Sequence, residues 1–77
     1  MKDFFYHVNN IEFHDTVAFG SAWKEAVKLA KIEHTFITRT VVSYNYKGEE
    51  NIRYEAYLKG GCFLPDHMAT EEEYYIF

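Results

Sequence analysis

Three side chains near the N-terminus, His7, Glu12 and His14, are of the types that hold a divalent cation. Imidazole nitrogen and carboxylate oxygen are ordinary ligands of zinc and related ions. If Asn9-Asn10 is a two-residue type I′ turn, Val8 faces Ile11, Tyr6 faces Phe13, His7 faces Glu12 and Phe5 faces His14. The three candidate ligands then share one face of a hairpin, with the two histidines on a diagonal. A one-residue slip would scatter them, and a solvated strand face accounts for the same residues without a metal. The expectation is that no metal and no cofactor is held here.

A second cluster is Cys62 with Asp66 and His67. A zinc site needs four ligands at paired spacings, and a thiolate nucleophile needs an oxyanion site; the sequence advertises neither. Cys62 is therefore expected to behave as a small buried apolar residue. Gly20-Ser21 opens a helix, and helix N-termini attract anions. A phosphate loop, however, needs further glycines and a following Lys-Ser or Lys-Thr, so Ser21 reads as an N-cap. The chain is expected not to be an enzyme.

The elements that must position these residues follow from periodicity. Phe4, Tyr6 and Val8 alternate with Phe5 and His7, as in a half-buried hairpin. Residues 21–33 are the one strong helix, with Ala22, Trp23, Ala26, Leu29 and Ala30 in one stripe and Lys24, Lys28 and Lys31 opposite. Small alanines let such a helix lie close to a sheet. Thr35–Tyr46 is rich in β-branched and aromatic residues and reads as a long strand. Residues 47–51 form a polar loop. Ile52–Lys59 alternates, with Ile52, Tyr54, Ala56 and Leu58 expected inward and Arg53, Glu55, Tyr57 and Lys59 outward. Gly60-Gly61 turns the chain into a short strand, Cys62–Leu64, ended by Pro65. Residues 70–77 read either as ending in a last edge strand, Tyr74–Phe77, or as a short helix from Thr70, in which Glu73 completes a capping box. The fold class is α+β: a single domain over 1–77, one helix packed on an antiparallel sheet of four to five strands, in the order ββαββ(β).

Composition narrows the function classes. At 77 residues, 48% hydrophobic and 19% aromatic, the chain can build a compact core and is not disordered. A single cysteine precludes an internal disulfide, and no apolar run approaches the ~20 residues of a membrane span. The start, Met1-Lys2-Asp3-Phe4, lacks the pattern of a secretory leader, so a cytoplasmic protein with no membrane contact is expected. Acids and bases balance over residues 1–65, and the net charge of −4 resides in Asp66, Glu71, Glu72 and Glu73.

That balance disfavours nucleic acid, which calls for a basic surface. The best alternative for such binding is Lys24, Lys28, Lys31 and Arg53 beside tyrosines that could stack on bases. A solvated helix face predicts the same lysines. Exposed tyrosines next to an acidic cluster suit a protein partner, in particular a basic one. The contact residues expected on this reading are Tyr57, Glu71, Glu72, Glu73, Tyr74 and Tyr75, with self-association through an edge strand as a further expectation. In size, acidity and aromatic content the chain resembles accessory proteins of phages and mobile elements, including small inhibitors of the anti-CRISPR kind. That likeness is one of overall character, and it implies a small non-enzymatic domain that binds and regulates or blocks another protein.

Overall fold

A computed structural model describes all 77 residues. Strands β1 (Lys2–Val8), β2 (Ile11–Asp15), β3 (Thr38–Tyr44), β4 (Glu50–Tyr57) and β5 (Phe63–Pro65) form one antiparallel sheet in the spatial order β2-β1-β3-β4-β5. Helix α1 (Ser21–Glu33) crosses one face, packed chiefly on β1 and β2. Two single-turn 3₁₀ segments, Asp66–Met68 and Glu71–Glu73, follow β5.

The first hairpin has the register that its alternation predicts, with Val8 opposite Ile11, Tyr6 opposite Phe13 and His7 opposite Glu12. Its turn differs in type. Only Asn9 takes a positive φ (54°), whereas a type I′ turn requires one at both central residues. Phe4, Tyr6 and Val8 face the helix and are buried against Ala22, Ala26 and Ala30. Ala26 is fully enclosed, so Ala26→Leu should overpack the helix–sheet contact. A loss of about 1–3 kcal/mol in denaturant unfolding is the expected result.

Ser21 does not cap the helix. Gly20 occupies the N-cap position, and the capping carboxylate comes from the end of β2. Asp15 Oδ2 accepts from the Ala22 amide at 3.1 Å, and Oδ1 accepts from the Thr16 amide at 2.8 Å and the Val17 amide at 3.3 Å. A Cβ on Gly20 would collide with Val17 and Asp15, so the loop needs glycine at this approach. The Ala22 amide, and then those of Thr16 and Val17, hold the Asp15 carboxyl below the ordinary aspartate range. The folded pKa lies below the unfolded one, so this contribution is present above the unfolded value of about 3.9 and vanishes as pH falls through the folded value. Asp15→Ala should therefore melt at lower temperature than the parent at neutral pH. In acid below both pKa values the charge-dependent part of that gap should close.

The second half of the sheet departs from the simple alternation. Glu55 and Tyr57 lie on the helix side, not outward, because Glu55 pairs with Arg39 across β3–β4 and Tyr57 packs on Trp23 with ring centroids 4.9 Å apart. Ile52 and Tyr54 lie on the other face and are exposed, while Ala56 and Leu58 on that face are buried. Leu58 is covered because the tail returns over it, forming a bridge with Tyr74. Strand β4 is thus buried on both faces at its C-terminal end and on neither at its start.

Arg39 and Glu55 make an ion pair with Nε–Oε1 of 2.7 Å and side chains only 12% and 9% exposed. The guanidinium lies 3.9 Å from the Phe63 ring centroid, with Phe4 and Phe19 rings also nearby. Desolvation of both charges is offset by this pairing and by the aromatic faces. The Tyr6 hydroxyl and Arg39 Nη1 are enclosed without a hydrogen bond of good geometry. Burial raises the Tyr6 phenol pKa, and the adjacent guanidinium offsets part of that rise.

The tail forms a short helical turn after Thr70 and no edge strand; Tyr74 makes only an isolated bridge with Leu58. Thr70 and Glu73 form the capping box of the second 3₁₀ turn, with the Thr70 amide 3.2 Å from Glu73 Oε1. The residues beyond it attach through backbone bonds from Tyr75 N to Tyr57 O of β4 (3.0 Å) and from Phe77 N to Thr35 O in the segment leading to β3 (3.1 Å). Phe77 then packs on Trp23 and Tyr57.

Candidate functional site

Helix α1 covers one face of the sheet, and no helix covers the other. Strand alternation assigns Asp3, Phe5 and His7, Glu12 and His14, Thr38, Thr40 and Val42, Glu50, Ile52 and Tyr54, and Leu64 to that second face. Its exposed apolar side chains lie on the β4–β5 side, while the central strand β3 contributes Thr38, Thr40 and Val42. Tyr54 is 64% exposed, and Ile52 and Leu64 each 45%. Side chains of this size left in water on adjacent strands form a patch rather than scattered apolar residues. No strand position in this phase is Lys or Arg, whereas Asp3, Glu12 and Glu50 are acids; Arg53 reaches the border from the neighbouring position.

A shallow groove runs along the face where Asp66 follows β5. Ile52, Arg53, Tyr54, Pro65, Asp66 and His67 line one part, and His7, Asn9, Thr38, Arg39, Thr40, Tyr54, Glu55 and Asp66 line the adjoining part. Asp66 Oδ1 accepts from the Tyr74 hydroxyl at 3.0 Å, which holds the Tyr74 phenol above its ordinary pKa and fixes the carboxylate at the rim. Past Leu64 the surface continues to Glu72 and Glu73, which line a depression with Leu58, Lys59 and Cys62. The acidic tail and the uncovered face are therefore contiguous.

The two histidines are engaged with separate partners. His14 Nε2 lies 2.9 Å from Asp3 Oδ1, and its ring stacks on Phe5 at 4.8 Å. His7 Nε2 lies 3.0 Å from Thr40 Oγ1, with Glu12 3.7 Å from Nδ1. His7, Glu12 and His14 share a face but do not converge on a point, and the chain has no group of three or more His, Cys, Asp or Glu with metal-holding geometry. Cys62 is exposed in the turn before β5 rather than buried. Gly60-Gly61 loops it outward before the strand begins.

Of the residues expected to contact a partner, Glu71, Glu72, Glu73 and Tyr75 are exposed. Tyr57 is half-buried between Trp23, Phe63 and Phe77, and Tyr74 is half-buried against Phe36. Both serve packing on the faces presented to their neighbours. Lys24, Lys28 and Lys31 are exposed on the outer side of α1. Arg53 sits on β4, while α1 packs on β1 and β2, so the four bases form no single patch. The uncovered face itself escapes sequence reading because it depends on which side of β4 meets the helix. Its one sequence signal is the pairing of Arg39 with Glu55, whose burial turns Ile52 and Tyr54 outward.

No helix of the chain is long and apolar enough to cross a membrane. No family model, curated protein or solved structure matches the chain.

Proposed function

We propose that this chain is a small non-enzymatic binding domain that engages a basic protein partner through the uncovered face of its sheet. The observation that carries the reading is the exposed Ile52–Tyr54–Leu64 set, placed among Asp3, Glu12, Glu50 and Asp66 on a face whose outward strand positions hold no lysine or arginine, with Arg53 entering only at the border. Aromatic and aliphatic side chains give contact area at low entropic cost, and the carboxylate rim favours approach of a positive surface. The contiguous Glu71, Glu72 and Glu73 extend that rim, and Tyr75 stands exposed beyond them. A regulatory or inhibitory role in the cytoplasm, of the kind filled by small accessory proteins of phages and mobile elements, is the finer form of the same proposal. It draws on the chain's size, acidity and lone cysteine.

Binding of nucleic acid through Lys24, Lys28, Lys31 and Arg53 is the alternative, and the separation of Arg53 from the helix lysines argues against it. Amide NMR of the full chain distinguishes the two. Titration with a lysine-rich peptide should shift Asp3, Glu12, Tyr54 and Asp66, while single-stranded DNA or RNA at physiological salt should leave the spectrum unchanged. Submicromolar nucleic-acid binding with shifts centred on Lys24, Lys28 and Lys31 would establish the alternative instead.

A further inference from the structure

The sheet ends in two edge strands, the five-residue β2 and the three-residue β5, and we infer that the outer side of the longer one, β2, pairs with the same edge of a second copy. This seam borders the uncovered face, to which the Glu12 and His14 side chains belong, but the inference does not rest on the binding proposal. A two-residue turn is closed by a pair that exchanges both backbone bonds, here Val8 and Ile11, and the antiparallel ladder alternates from there. The bond from Tyr44 N to Met1 O fixes the same phase, since it directs the odd-numbered residues of β1 toward β3 and the even-numbered ones toward β2. The backbone groups of Ile11, Phe13 and Asp15 are consequently spent on β1. Those of Glu12 and His14 point outward, unpaired.

An antiparallel two-fold pairing of β2 with itself must match outward-pointing residues with one another. Centred on Glu12 or on His14, it would bring like side chains face to face. Centred on Phe13, it sets Glu12 opposite the second copy's His14, and His14 opposite the second copy's Glu12. Phe13 then meets Phe13, and Ile11 meets Asp15 at the ends. Only this last register is charge-complementary across the seam. His14 is already oriented for it, stacked on Phe5 with Nε2 bonded to Asp3 and Nδ1 unpartnered within the chain.

The other layer fits the same operation. Phe13 lines a groove with Leu29 and Ile32 of α1, and Ile32 is 68% exposed. The helix overlies β1 and β2, so a two-fold at the β2 edge separates the two helices by two strand spacings, about 10 Å. That is the interaxial distance of packed helices. Leu29 and Ile32 of each copy would close over the Phe13 pair, with Glu25 and Lys28 at the rim supplying one charge of each sign. The product is a ten-stranded sheet, with the uncovered faces of both copies on one side.

Sedimentation equilibrium of the full chain tests the inference. The expected species has twice the 9.2 kDa chain mass, dissociating on dilution. His14→Glu puts two carboxylates opposite each other at both symmetric contacts and should raise the dimer dissociation constant at least about tenfold. Glu12→Lys combined with His14→Glu restores opposite charges in the same register and should bring the dimer back. Glu12→Pro removes an outward N–H that has no partner inside the chain, so it should yield a folded monomer by circular dichroism. A parent chain that stays monomeric at millimolar concentration overturns the inference. So does a dimer that survives Glu12→Pro, or one that the double substitution fails to restore.

Discussion

Glu55→Leu should be the most damaging single substitution in this chain, with an expected loss of about 3–5 kcal/mol in equilibrium unfolding. The change leaves the Arg39 guanidinium in an enclosed site among Phe4, Phe19 and Phe63 without its counter-ion. A domain of this size has on the order of 5–10 kcal/mol in all, so the variant should sit near its unfolding midpoint at ambient temperature. Arg39→Met should be similarly costly, because it leaves the Glu55 carboxylate buried. The double variant Arg39→Met/Glu55→Leu should recover much of the loss, since the same volume is filled and no charge is stranded. Double-mutant-cycle analysis of urea melts reads this directly. Additive single losses would show that the two charges do not depend on one another.

Removal of residues 74–77 should cost on the order of 2–4 kcal/mol, the second largest effect expected. The segment supplies Phe77 against Trp23 and Tyr57, Tyr75 against Tyr57, and Tyr74 against Phe36. It also satisfies backbone carbonyls of Thr35 and Tyr57, and it covers Leu58. Truncation uncovers that leucine and opens one side of the Trp23 cluster. Thermal melting of the truncated and full chains measures the difference. Equal midpoints would mean that the tail is a passive end and that Trp23 is held by Tyr6, Phe19 and Phe63 alone.

What the sequence discloses about this fold tracks how local each signal is. The hairpin register follows from Asn9-Asn10 and the flanking alternation, and the helix bounds follow from Gly20-Ser21 and the alanine stripe; both agree with the structure at residue level, although the N-cap is Gly20 and not Ser21. The Thr70–Glu73 capping box is likewise local and is formed. The facing of β4 is not local. Ile52, Tyr54, Ala56 and Leu58 look like a single inward row, but an apolar side chain can be buried on either face. Which face meets the helix is decided by Arg39, sixteen residues earlier in the chain. An acid in the core-facing row contradicts hydrophobic patterning unless its partner is known, and the partner is visible only once β3 and β4 are in register.

Non-local packing decides the candidate surface as well. Tyr57 and Tyr74, read as contacts because tyrosine is common in interfaces, are tied up by neighbours that only the tertiary fold assembles. Tyr54, placed in the core by alternation, emerges as the most exposed aromatic of the uncovered face. The acidic run Glu71–Glu73 keeps its place at the surface and gains a neighbour in Leu64.

Affinity capture from the source cell with paired variants is the most direct test of the claim that the uncovered face is the partner surface. Tyr54→Arg and Ile52→Arg alter exposed positions and reverse the local charge, so each should fold as the parent does. Each should lose a basic partner at least about tenfold by quantitative mass spectrometry, as expected for a central contact of an interface. The Lys24/Lys28/Lys31→Glu variant, altered only on the outer side of the helix, should retain that partner. Retention by Tyr54→Arg and Ile52→Arg, with loss by the lysine variant, would contradict the account and move the binding surface to the helix.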